Sequence, residues 1–246
     1  MKLPNSPMNQ VLRFLVTIAC GLLLVSGAKA QAPEEGKEKV DRAQLRFASV
    51  MPLKRELLFL VGQGMTEKLK ITSRGLSARI EVKRGATYHL CSRAPEEATP
   101  EALKAVSLAS FEIGASSFEA ILLILGEGEE SANVALIDAS RDRFPWGSRL
   151  VINSYSSAVK FHVAGKSTVV KAKELKLLPI PKADLGDFIL VKGFYNKQGR
   201  ERKFLSSRWI HDLNSRSLIF VYQRGSSSAP VFHGIEDTRQ PKEIEQ

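Results

Sequence analysis

The chain has 246 residues, 43% of them hydrophobic and 25% charged, with 36 Lys and Arg against 26 Asp and Glu for a net charge of +10. That length supports one large or two ordinary domains standing on hydrophobic cores, and two cysteines are too few for a small disulfide-stapled scaffold. The basic excess keeps the surface solvated and favours anionic partners through a field that salt weakens.

The most apolar run, Phe14 to Val25, is too short for a bilayer-spanning helix, which needs roughly 20 residues. Lys2 and Arg13 precede it without an acid, and Ala28-Lys29-Ala30 follows as a small-x-small cleavage site. Residues 1–30 therefore read as a secretory signal peptide, with export to the periplasm or the extracellular space and no transmembrane anchor in the mature chain. Cleavage after Ala30 leaves 216 residues, seven more of them basic than acidic, and Cys91 as the single thiol. A lipobox reading of Cys20 is poor, because Thr17 stands where Leu is usual.

Residues 31–43, "QAPEEGKEKVDRA", are too polar to support burial and read as a disordered linker. From there the text is dominated by short β-type segments punctuated by turn residues. In "SARIEV", Ala78, Ile80 and Val82 alternate with Arg79, Glu81 and Lys83, and "KRG" turns the chain into "ATYHLC". "TPEALKAVS" is the one convincing helix, with Thr99 as cap, Pro100 at the first helical position and Glu101 at the positive end.

"EAILLILG" (119–126) and "SLIFVYQ" (217–223) are apolar on both faces, and the turn chemistry after each reads them as buried strands. The first continues through an acidic loop into "ANVALIDAS" as a hairpin. "AVKFHVAG" sets Val159, Phe161 and Val163 against Lys160 and His162, and "DFILVKGFYNKQGRERKFLSSRWI" reads as a second hairpin with "NKQG" at its tip.

The charged, Pro- and Gly-bearing stretch 140–148 places a domain boundary there. Two β domains result, 44–140 and 141–236, with 237–246 as a disordered tail. Both open alike, "LRFASV" at Leu45 and "SRLVINS" at Ser148, a hint of tandem copies. The expected fold is all-β: two tandem β-sandwiches of immunoglobulin-like size with one short helix, the alternative being a single larger sandwich or barrel. In pattern alone the chain resembles extracytoplasmic β-sandwich modules.

Catalytic signatures are missing: there is no G-x-S-x-G elbow, H-E-x-x-H, P-loop or C-x-x-C, and "GQGMTE" at Gly62 reads as a turn rather than a dinucleotide loop. His89 and Cys91, two apart on a strand, share a face and are weak metal candidates that need a third ligand such as His162, His211 or Met65. In "WIHDL", His211 and Asp212 are adjacent and face opposite ways.

The basic hairpin is the candidate binding surface. It carries Lys197, Arg200, Arg202 and Lys203, with Tyr195, Phe204 and Trp209 as neighbouring rings. "KAKELKLL", with Lys171, Lys173 and Lys176, reads as the outer face of a strand.

The leading expectation is a non-catalytic binding or interaction module of the cell envelope that requires no cofactor and binds an envelope protein or an anionic polymer. No nucleic-acid recognition motif accompanies the charge. The rival readings are a hydrolase acting on extracellular polymers through carboxylates such as Glu112, Glu119 or Asp138, and a periplasmic metal-binding protein.

Overall fold

A computed structural model describes residues 41–55, 57–97, 99–225 and 229–239. The signal-peptide segment, most of the linker and most of the tail lie outside these residues. Among them, no helix is long and apolar enough to cross a membrane.

Alternation of apolar and polar residues gives the amino-terminal half eight strands: β1 (Arg42–Ser49), β2 (Leu58–Gly62), β3 (Met65–Leu69), β4 (Ile80–Lys83), β5 (Thr87–Cys91), β6 (Ser107–Glu112), β7 (Glu119–Glu127) and β8 (Ala132–Asp138). Between β5 and β6 lies α1 (Pro100–Val106), whose first turn is capped as expected: the Thr99 hydroxyl accepts from the Ala102 N–H. The second half repeats the count with β9 (Arg149–Asn153), β10 (Val159–Val163), β11 (Lys166–Val170), β12 (Leu175–Leu177), β13 (Phe188–Lys197), β14 (Arg200–Ile210), β15 (Ser215–Gln223) and β16 (Pro230–Thr238).

These strands form four sheets of four. Sheet 1 has the order β4-β1-β7-β8 and sheet 2 the order β3-β2-β5-β6; sheet 3 runs β12-β9-β15-β16 and sheet 4 runs β11-β10-β13-β14. Adding eight to each strand number of sheets 1 and 2 yields sheets 3 and 4. Each half also contains one parallel pairing at the equivalent place, β1 with β7 and β9 with β15. The first hairpin of each half turns through two left-handed residues, Gln63-Gly64 and Ala164-Gly165. The chain is thus two copies of one topology, and "LRFASV" and "SRLVINS" occupy its equivalent first strands.

Each copy is a sandwich with its own core. Leu45 and Phe47 of β1, Leu60 of β2, Tyr88 of β5 and Leu122 of β7 fill the space between sheets 1 and 2. Val151, Phe161, Val191, Leu205 and Val221 fill the space between sheets 3 and 4.

A third core lies between the copies. Ala48, Ile121 and Leu123 project from the other face of sheet 1 onto Leu150, Ile152, Leu218 and Phe220 of sheet 3. The layers therefore stack in the order 2-1-3-4, and the described residues belong to one compact unit. This explains the two doubly apolar runs: β7 and β15 are interior strands of the two middle sheets, buried on both faces, and so lose the alternation that one-sided strands keep.

Three sequence expectations change. Ala43 is in the core and β1 begins at Arg42, so the linker is shorter than 31–43. β16 continues through Thr238 with Asp237 buried, so the tail begins later than residue 237. Lys171 and Lys173 sit in the turn before the three-residue β12 rather than along a strand, and Lys173 adopts a left-handed φ of 61°.

Asp237 belongs to an ionic network that crosses the seam between the copies. Arg216 of β15 and Asp237 of β16 are paired directly across sheet 3 and are 2% and 1% exposed. The Arg216 Nε donates to Asp237 Oδ2 at 2.8 Å, and its Nη2 reaches Glu119 of the first copy at 2.9 Å. Its Nη1 donates to the carbonyls of Ala139 (2.6 Å) and Phe144 (2.8 Å).

The second Asp237 oxygen accepts from Arg46 of β1, and the Arg216 guanidinium lies 4.3 Å from the Trp146 ring centroid. Taking these charges out of water is costly, and the dense set of donors and acceptors offsets it. The arrangement specifies how sheets 1 and 3 meet rather than adding large net stability.

Candidate binding surface

β13 and β14 form the longest hairpin of the second sandwich. They are joined by the two-residue turn Gln198-Gly199, both at positive φ (53° and 76°), which matches the right-handed strand twist and suits glycine at the second position. The Asn196 side-chain oxygen accepts from the Gly199 N–H at 2.9 Å and closes the turn.

The tip projects past the sandwich, leaving Lys197, Arg200, Arg202 and Lys203 exposed. Together with Tyr195 and Gln198 they line an open groove of about 840 Å³. The one acid on the tip, Glu201, is ion-paired to Lys160 of β10. Arg200, Arg202 and Lys203 form no ion pair among the described residues, so their donors face solvent in a cluster of one sign.

The rings expected beside this cluster have other roles. Tyr195 is buried and meets Tyr155 edge-on (6.1 Å between centroids) and Phe204 (6.4 Å). Phe204 packs on Phe161 at 5.9 Å. Gly193 makes room for that packing, since a Cβ there would lie 2.7 Å from the Phe204 ring.

Trp209 is the clearest departure from the expected set. It pairs with Ile189 at the opposite end of the hairpin, seven residues or roughly 23 Å along the strand from Arg202. There it stacks under the Arg149 guanidinium at 5.2 Å. Burial pushes the Arg149 pKa down, against the opposing pull of Glu236 and Asp212. Four of the five sequence candidates share the tip; Trp209 does not.

The metal candidates share a face but not a cavity. His89 and Cys91 both lie on the outer side of sheet 2, where α1 covers Cys91 and borders an open cavity of about 500 Å³ that His89 lines with Leu103, Ser107 and Ser110. Cys91 is sealed among Val61, Phe59, Leu103 and Val106, and burial pushes its pKa up to about 11, so it is a neutral thiol at physiological pH. His89 Nδ1 faces the Ser107 hydroxyl at 3.4 Å. Among the described residues, no group of three or more His, Cys, Asp or Glu side chains is placed to hold a metal ion.

Of the carboxylates weighed for acid–base chemistry, Glu119 and Asp138 lie at the paired ends of β7 and β8 but on opposite faces of sheet 1. Glu119 is held by Arg216, Asp138 accepts from the Ser140 N–H at 3.1 Å, and Glu112 ends β6 on a different sheet. His211 is buried just beyond β14, and Asp212 accepts from the Asn214 N–H at 2.8 Å. The chain matches no protein-family model and shows no significant match to a curated protein.

Proposed function

We propose that the protein is an exported, non-catalytic binding module of the cell envelope, and that the tip of the β13–β14 hairpin captures an anionic envelope polymer. The observation that carries this reading is the groove lined by Lys197, Arg200, Arg202 and Lys203, in which the nearby acid is already paired to Lys160. Guanidinium forks suit carboxylate, sulfate and phosphate groups, and an open groove suits an extended chain rather than a small enclosed ligand. Export rests on the residue 1–30 pattern: basic residues, an apolar core, then Ala28-Lys29-Ala30. Against hydrolysis stand the engagement of Glu119 by Arg216 and the placement of Glu112 on a different sheet.

The test is retention of purified mature protein on an immobilised polyanion at low and high salt, beside the variant R200E/R202E. The module reading expects retention that fades as salt rises through a Debye length of about 10 Å and is lost in the variant. Equal retention of variant and native protein would remove the tip from the function. Intact-mass analysis of secreted material should show a chain beginning at Gln31; a retained Met1 would refute export by cleavage.

A further inference from the structure

Of the tip cations, Lys203 lies on the hairpin's outer face, while Lys197, Arg200 and Arg202 share the side of Tyr195; from Lys203 the outer face carries further cations along sheet 4. Strand pairing places side chains there in rows: Val169, Lys160, Phe194 and Lys203; then Ser167, His162, Lys192 and Ser206; then Leu190 and Arg208; then Phe188 and Ile210. Each row carries a cation except the last, which is apolar and open, with Phe188 70% and Ile210 55% exposed and Leu190 beside them at 51%. Glu201, already engaged by Lys160, is the one acid on this face of the four strands. Successive rows are two residues apart, so the stripe from the Phe194 row to the Phe188 row is roughly 20 Å long. Next to its apolar end, His162, Asp187, Phe188, Leu190 and Lys192 line a concavity of about 380 Å³, in which Asp187 is the one acid.

We infer that this face is the track along which a polysaccharide bearing carboxylate or sulfate groups lies, running from Lys203 at the hairpin tip to the Phe188 row; the inference rests on the proposed capture of an anionic polymer. Charge complementarity selects an anionic chain, and the spacing of cations along one direction selects an extended one.

The apolar end distinguishes a saccharide from other polyanions. The Phe188 ring and Leu190 offer a flat surface to the C–H face of a sugar. Single-stranded nucleic acid stacks successive bases on neighbouring rings, whereas Phe188 and Phe194 are about 20 Å apart and the Phe194 ring is already in contact with His162 at 5.0 Å.

The experiment is titration calorimetry of the mature protein with a polyuronate, with neutral dextran, oligothymidylate and phosphatidylglycerol vesicles as comparisons. The variants are K192E/R208E, S206E, F188A and R200E/R202E. All the positions of the first three variants are surface sites, and circular dichroism monitors their folding.

The inference expects K192E/R208E to weaken polyuronate binding about tenfold, S206E to weaken it in the same direction, and F188A to weaken it about three- to tenfold. It also expects affinity to rise with oligouronate length until the chain spans roughly 20 Å and then to level off. If R200E/R202E abolishes binding while K192E/R208E and S206E leave it unchanged, the track is overturned and the tip reading stands. Equal binding of dextran, or tighter binding of oligothymidylate or vesicles than of polyuronate, overturns the partner class.

Discussion

The two sandwiches share a topology and differ in what lies on their outer sheets. In the first, the chain between β5 and β6 forms α1, which lays Leu103 and Val106 over Phe59, Val61 and Cys91 and covers that part of the outer side of sheet 2. In the second, the equivalent connection is the two-residue turn Gln198-Gly199, the strands lengthen to 10 and 11 residues, and the outer side of sheet 4 stays open. One copy therefore uses part of its outer face for packing, and the other presents it to solvent with cations and open apolar side chains. The two outer sheets are equivalent in topology, and the difference in a single connection decides how much of each is covered. The middle sheets did not diverge in this way, because each must present an apolar face to the other.

The strongest way to break this comparison is to cut the seam that couples the copies. Arg216→Ala removes the guanidinium that joins Asp237 to Glu119 and leaves buried carboxylate behind, at a cost of about 3–5 kcal/mol. In urea, the native protein should unfold in one transition and the variant in two resolved ones; a single transition with an unchanged midpoint would show that the apolar core alone holds the copies together.

Smaller changes address each copy separately. Gly193→Ala forces a Cβ against Phe204 and should destabilise the second sandwich by about 1–3 kcal/mol, with the chemical shifts of the first left in place. Thr99→Ala removes the cap of α1 at about 1 kcal/mol and should act on the first sandwich alone, seen as faster labelling of Cys91 by a thiol reagent. The same thiol gives a pH signature. Its folded pKa of about 11 lies above its ordinary value of 9.0, so its contribution to stability is complete below pH 9 and declines as pH rises through 11. Chemical denaturation across that window should show the fall, and a Cys91→Ala variant should lack this component.

The least effect is expected at the exposed pair of Arg42 and Glu81, 2.9 Å apart across β1 and β4. Arg42→Ala should change stability by under about 1 kcal/mol, a useful contrast to Arg216 in the same denaturation assay.

Much of the fold was legible because its signals are local. The strict alternation in Val159, Phe161 and Val163 marked β10, Thr99-Pro100-Glu101 marked α1, and the turn residues marked the β7–β8 and β13–β14 hairpins. The tip cluster was legible for the same reason, since Lys197, Arg200, Arg202 and Lys203 are close in sequence. Trp209 was misplaced because closeness in sequence along an extended strand means distance in space. Arg216 and Asp237 went unread: an isolated Arg before an apolar strand and an Asp in a polar carboxyl-terminal segment look solvated until the partners from residues 46 and 119 arrive.

By itself, then, the order of residues determined which segments are strands, where they turn, where α1 starts and which hairpin tip is basic, since each depends on neighbours within a few positions along the chain. Tertiary structure alone decided the parallel pairings of β1 with β7 and of β9 with β15, the stacking of sheets 1 and 3, and which outer face stays open. Those outcomes depend on contacts between residues distant in sequence, such as Gln44 beside Glu119 and Arg149 beside Ser217 in the parallel pairings, and Glu119 with Arg216, 97 apart, and Arg46 with Asp237, 191 apart, across the seam. Burial and charge pairing at that range are set by which surfaces meet, and no local pattern encodes it.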